Sequence, residues 1–127
     1  MSYYTSTTTS NHTRMKNNKQ ITYNRSNNFY RWILTQRKAN GDRYSISSAN
    51  QYRSQLRNFE HKLAPRALEG TQIPSDLFEI DVALDFAAAI NIIETLPGYG
   101  DFIAENHGNF EAAVDLYGRF LLATARR

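Results

Sequence analysis

The sequence predicts an all-α protein: a compact bundle of four main helices and one short helix, preceded by a flexible basic N-terminal arm. Apolar residues recur at spacings of three and four in several segments, and no segment shows the period-two alternation of a strand. Residues 1–25 are rich in Ser, Thr and Asn and contain no acid, a composition that buries too little surface to fold. Because 127 residues suit one domain, we place that domain at residues 26–127 and the arm at residues 1–25.

The first predicted helix covers Asn27–Ala39, where Phe29, Trp32 and Ile33 recur at helical spacing. Ser26 or Asn27 is available to cap its first turn. The helix should end before residues 40–42, because Asn and Gly accept the left-handed conformation that terminates many helices.

The second predicted helix covers Ser48–Leu63, capped by Ser47 or Ser48 and ended before Pro65. Its two faces are well separated. The predicted buried stripe is Ala49, Tyr52, Leu56, Phe59 and Leu63, and the predicted exposed face is Asn50, Arg53, Ser54, Arg57 and His61.

The C-terminal half contains three further predicted helices. We expect Asp81 to cap a strongly apolar core helix over Val82–Leu96, followed by the short helix over Asp101–Asn106 and the last main helix over Phe110–Ala125. Gly118 inside the last helix lowers its stability by about 1 kcal/mol. It therefore predicts close packing of that helix against another backbone.

Charge is segregated along the chain. Residues 1–70 contain twelve Lys and Arg and three acids, a net charge of +9, whereas residues 71–127 contain three Arg and nine acids, a net charge of −6. A basic region of this size is typical of proteins that bind polyanions. Mutual neutralisation of the two halves is the alternative explanation.

The exposed face of the second helix is the candidate binding site. It places Arg53 and Arg57 one turn apart beside Asn50, and these side chains suit phosphates and base edges. An ordinary solvated surface has the same residue types, but the neighbouring segments add more basic residues and almost no acid. The predicted nucleic-acid-binding residues are Arg31, Arg37, Lys38, Arg43, Asn50, Arg53, Arg57, Lys62 and Arg66.

Catalytic signals are weak. The chain has no cysteine and three scattered histidines, which argues against a metal site. Asp81 and Asp85 lie one turn apart, but a helix cap and a solvated side chain explain them better than catalysis does. Gly98-Tyr99-Gly100 lacks the strand and the longer glycine pattern of a phosphate-binding loop. We therefore expect no enzyme activity, no cofactor, no metal and no small-molecule ligand.

The sequence also predicts where the protein acts and on what. It contains no long apolar run, and its first thirty residues lack the apolar core of a secretion signal, so we expect a cytoplasmic protein without membrane contact. DNA is the expected partner and RNA the other polyanion to consider. The second interpretation is a protein-interaction adaptor or inhibitor whose acidic residues, between 76 and 115, dock on a basic partner.

Two segments carry a resemblance to a known family. NFYRWIL at residues 28–34 and YSISSANQYRSQL at residues 44–56 resemble the opening helix pair of the SAM-like core-binding domain of phage-type integrases. Residues 76–81, 102–109 and 112–121 are similar to helical N-terminal modules that precede the nuclease or ATPase parts of restriction and mobile-element proteins. The resemblance implies a DNA-engaging accessory role. The chain lacks the recombinase Arg/His/Tyr set and any nuclease or nucleotide-binding motif.

Overall fold

The computed structural model describes the backbone of residues 8–125 and the side chains of residues 18–125. Two short 3₁₀ turns and an isolated bridge between Arg37 and Arg43 accompany the helices, and the described residues contain no β-strand. The predicted all-α bundle is therefore confirmed. Its five α-helices are α1 (Thr8–Leu34), α2 (Ile46–Asn58), α3 (Ala83–Ile93), α4 (Tyr99–Asn106) and α5 (Asn109–Thr124).

Helix α1 differs most from its predicted bounds, Asn27–Ala39. It ends at Leu34 because the chain turns back there, with the Lys38 N–H donating to the Asp42 carbonyl at 2.8 Å. It also begins N-terminal of the predicted domain boundary at residue 26. Of the predicted arm, residues 1–7 lie outside the described residues, and residues 8–25 belong to α1.

Arg25, at the end of the predicted arm, makes a tertiary contact with the segment before α3. Its guanidinium donates to the Phe78 carbonyl and lies 3.6 Å from the carboxylate of Asp81. This tertiary contact stabilises a helical segment whose Ser, Thr and Asn content gives it little intrinsic helix propensity. Asp81, predicted as the cap of α3, therefore makes a different contact, and Val82 precedes α3 without a side-chain cap.

An aromatic cluster forms the centre of the core. The Tyr117 ring of α5 lies 5.3 Å from Phe29 of α1, 4.9 Å from Phe86 of α3 and 5.1 Å from Phe78 in the 3₁₀ turn Leu77–Glu79. Its hydroxyl donates to the Ile80 carbonyl at 2.7 Å. Burial raises the pKa of Tyr117 well above its ordinary value. One residue thus connects three helices and a loop.

Helix α2 packs its predicted stripe into the same core. Ala49, Leu56, Phe59 and Leu63 are buried, as predicted, and Tyr52 is half-buried. The α-helix ends at Asn58, and the other 3₁₀ turn, Phe59–Lys62, follows it directly. Ser45, and not Ser47 or Ser48, caps α2, because its hydroxyl accepts the Ser48 N–H at 3.0 Å.

Two glycines in the C-terminal half have opposite surroundings. Gly98 precedes α4 with φ of 89°, and a Cβ there would overlap the backbone nitrogen of Ala64, so this approach requires glycine. At Gly118 of α5, a Cβ would meet no atom within 4 Å. The prediction that Gly118 packs closely against another backbone is wrong within the described part of the chain. In the part of the chain that the structure describes, no helix combines the length and apolarity of a membrane span.

Candidate nucleic-acid interface

Helices α1 and α2 form an antiparallel hairpin. Loop 35–45 reverses the chain, and two side-chain pairs then join the helices, Asn27 with Arg53 and Ser26 with Arg57. The partner of Arg57 precedes the partner of Arg53 on α1, although Arg57 follows Arg53 on α2. This reversed order is the one that antiparallel helices produce. The hairpin thereby places polar residues of α1 beside the predicted binding face of α2.

Neutral groups hold the Arg53 side chain on three sides. Its Nη1 donates to Asn27 Oδ1 at 2.8 Å, and its Nη2 donates to Asn50 Oδ1 at 2.6 Å. The guanidinium also lies over the Tyr30 ring, 4.6 Å from the ring centre, in a cation–π contact. These contacts restrict the rotamers of Arg53 and leave its charge uncompensated.

Arg57 is held in a similar way one turn further along α2. Its Nη2 donates at 2.6 Å to the hydroxyl of Ser26, a buried residue of α1. Among the described side chains, no carboxylate forms an ion pair with Arg53 or Arg57. We call the surface formed by Asn27, Tyr30, Asn50, Arg53 and Arg57 the basic hairpin surface.

The loop before α2 contributes three more cations. The Arg37 guanidinium donates to the Gly41 carbonyl at 3.0 Å, and Lys38 Nζ lies 5.7 Å from the centre of the Tyr44 ring. Arg43 is exposed, two residues before the cap of α2. Six of the nine predicted binding residues therefore lie on α2 or on the loop that leads into it: Arg37, Lys38, Arg43, Asn50, Arg53 and Arg57.

The other three predicted residues have different surroundings. Arg31 lines a cleft of about 750 Å³ between α1 and the end of α5. Lys62 lines a cleft beside Glu105 of α4. Arg66 forms an exposed ion pair with Glu69 at 2.7 Å. The structure does not join these three cations to the basic hairpin surface.

Sequence reasoning missed the α1 residues of this surface. It treated Ser26 and Asn27 as possible caps of a helix start, whereas both lie inside α1. A helical-wheel signal was present, because Tyr23, Asn27 and Tyr30 follow the spacing of one helix face. The predicted helix began at Asn27 and so excluded Tyr23. The pattern can be recognised only in a helix that begins before residue 23.

The arrangement suits an anionic ligand. A guanidinium has five N–H donors, of which the hydrogen bonds described for Arg53 use two and that for Arg57 uses one. The remaining donors can bind phosphate oxygens. Among the described side chains, no cluster of three His, Asp or Glu could hold a metal ion.

Comparisons with known proteins find no match: no family model matches the chain, and no curated protein or solved structure is significantly similar to it.

Proposed function

We propose that the protein is a non-catalytic module that binds nucleic acid, with double-stranded DNA as the principal ligand, through the basic hairpin surface and the adjoining loop cations. The observation that carries this proposal is that Arg53 and Arg57 donate to neutral side chains and, among the described side chains, pair with no carboxylate. Their hydrogen-bond partners are amide and hydroxyl oxygens, so the guanidinium charges are oriented but not cancelled.

Preorganisation favours binding at this surface. An arginine that is already held in one rotamer loses less conformational entropy when it binds a phosphate than a mobile one does. Loop residues Arg37, Lys38 and Arg43 extend the positive charge along one end of the hairpin. Five cations are thus available to a nucleic-acid backbone.

The hydrogen bond between Arg53 and the side-chain amide of Asn50 bears on how nucleic acid would bind. Reading adenine with both amide atoms requires Oδ1 and the amide nitrogen to point together at the base edge. Asn50 Oδ1 already accepts a hydrogen bond from Arg53 at 2.6 Å. We therefore expect phosphate contacts to dominate and sequence preference to be low, as in an accessory DNA-engaging module of phage or mobile-element type acting in the cytoplasm.

The test is a salt titration of binding to fluorescent duplex DNA, with duplex RNA in parallel. Four or five phosphate contacts predict a slope of log K against log salt of about −4, and replacing Arg53 and Arg57 by Gln should lower its magnitude by about two. Arg119→Gln, a change in an exposed α5 arginine that pairs with Asp115, is the matched control and should leave the slope unchanged. Absence of binding at micromolar protein and about 50 mM salt would refute the proposal.

A second candidate function rests on the acids of the C-terminal half. Of the nine acids in residues 71–127, Asp81 and Asp115 form ion pairs with described side chains, and the surplus of acids in this half would attract a basic protein partner. Glu79→Lys with Asp101→Lys separates the two functions. The double variant should bind DNA as well as or better than the wild type, whereas it should weaken docking on a basic protein.

A further inference from the structure

Helix α3 is apolar on both of its faces. Of its 11 residues, only Asp85 and Asn91 are polar. Phe86, Ile90 and Ile93 face the core, yet Leu84 on the outer face is 82% exposed, and Ala87 and Ala88 beside it are also exposed. A helix that is apolar on all sides is normally buried on all sides, so the outer face of α3 lacks a covering partner within the described chain.

Helix α5 extends this apolar face. Together the two helices line a groove of about 510 Å³, with Gly118 and Ala87 in its lining and Leu122 on the α5 side. Leu122 is 62% exposed. No described atom lies within 4 Å of where a Gly118 Cβ would be, although glycine weakens a helix. The chain therefore keeps a shallow surface at this position that its own packing does not require.

We propose that a second copy of this chain covers the groove, in a two-fold symmetric dimer that packs α3 and α5 of each subunit together. A two-fold interface uses the same patch twice and must therefore be self-complementary. This patch contains both parts of such a fit. Leu84 and Leu122 supply exposed apolar surface, and the small residues Ala87 and Gly118 allow two helices to approach closely.

The charges beside the groove favour a second copy over a strongly acidic or strongly basic partner. Asp115 and Arg119 lie one turn apart on α5 and pair at 3.0 Å, so this edge carries no net charge. If two α5 helices cross antiparallel near Gly118, Asp115 of each subunit comes close to Arg119 of the partner subunit. Opposite charges then meet across the interface, and like charges do not.

The dimer leaves the basic hairpin surface accessible. Phe120, on the opposite side of α5 from Gly118, contacts Phe29 of α1 at 5.6 Å, so the hairpin lies beyond the core from the groove. The dimer proposal does not rest on the nucleic-acid function. Failure of one leaves the other standing, because oligomeric state and salt-dependent binding are measured separately.

Sedimentation velocity over about 1–100 µM protein tests the proposal, a range that covers the affinities of weak to moderate dimers. The wild type should show a monomer–dimer equilibrium, and Leu84→Lys with Leu122→Lys should weaken dimerisation at least about tenfold, since two lysines would be buried at each copy's interface. Ile46→Lys, a change in a 62% exposed side chain at the start of α2, is the matched control and should dimerise like the wild type.

Gly118→Ala supplies a readout that a folding defect would not mimic. In the isolated subunit the added methyl group meets no described atom, so the thermal midpoint of dilute protein should rise. In the dimer the same methyl group enters the crossing of the two α5 helices, where the proposal requires a shallow surface, so dimerisation should weaken. A wild type that stays monomeric throughout, or a double-lysine variant that dimerises as the wild type does, overturns the proposal.

Discussion

The α1–α2 hairpin and the α3–α5 pair share one core but have opposite outer surfaces. Phe29 of the hairpin and Phe86 of α3 both contact Tyr117, so their inner faces are built from the same aromatic cluster. Outside, the hairpin has cations held by amides and hydroxyls, whereas α3 and α5 have alanines and exposed leucines. The inner faces of the helices thus determine how they pack together, and the outer faces determine which kind of partner they can bind.

The largest expected effect concerns the shared core. Phe29→Ala should destabilise the protein by about 4 kcal/mol, because it removes a fully buried ring that contacts α5 and the 3₁₀ turn. Ile21→Ala, a change in an exposed apolar residue of the same helix, should stay within about 0.5 kcal/mol. Urea denaturation followed by circular dichroism measures both. Two separate transitions would show that the two regions do not share a core.

The next effect concerns the contact between Gly98 and the segment that follows the hairpin. Gly98→Ala should cost more than about 2 kcal/mol, because a positive φ and an overlap with Ala64 act together. Gly70→Ala isolates the first factor, since φ there is 78° but a Cβ would meet no atom within 4 Å. Its cost should be about 1 kcal/mol. Equal thermal midpoints for the two variants would argue against the close approach at Ala64.

The shared core also predicts a loss of stability at high pH. Burial raises the pKa of Tyr117, so the folded state retains the phenolic proton more strongly than the unfolded state does. Stability is complete below the unfolded pKa of about 10 and falls as the pH rises above it, by up to about 1.4 kcal/mol per pH unit for one tyrosine. Burial of Tyr52 and Tyr99 acts in the same direction. Tyr117→Phe should flatten the decline, as measured by denaturation between pH 9 and about 11; an unchanged slope would contradict the buried position of this hydroxyl.

The smallest effects compare one arginine from each region. Arg53→Met should destabilise by about 1 kcal/mol, because it removes two hydrogen bonds and a cation–π contact with α1. Arg119→Met removes only an exposed ion pair on α5 and should cost about 0.4 kcal/mol. The ratio of the two values indicates how firmly the hairpin holds its cations. A smaller cost for Arg53 than for Arg119 would show that Arg53 is mobile in solution.

The spacing of apolar residues along the sequence was enough to predict most of the fold. It predicted the all-α class and the buried stripe of α2, because spacings of three and four require little beyond the local chain. Helix ends were less predictable, since they depend on distant contacts. Arg25 of α1 contacts Phe78 and Asp81, which follow more than fifty residues later. No local pattern contains that information.

The candidate site was predictable in part for the same reason. The surplus of basic residues and the one-turn spacing of Arg53 and Arg57 are visible in the sequence. Their partners Asn27 and Ser26 belong to another helix, and their role depends on the antiparallel register of the hairpin. The sequence also could not predict that one face of α3 is exposed, because a helix with so few polar residues is expected to be buried on every side.

An NMR titration with a short DNA duplex tests the central claim most directly. We expect the amide signals of residues 26–57 and the side-chain Nε signals of Arg53 and Arg57 to shift with added duplex, and the signals of Leu84 and Leu122 to stay in place. Addition of salt should reverse the shifts, because the contacts are to phosphates. Shifts confined to α3 and α5, or no shifts at all at low salt, would contradict the assignment of nucleic-acid binding to the basic hairpin surface.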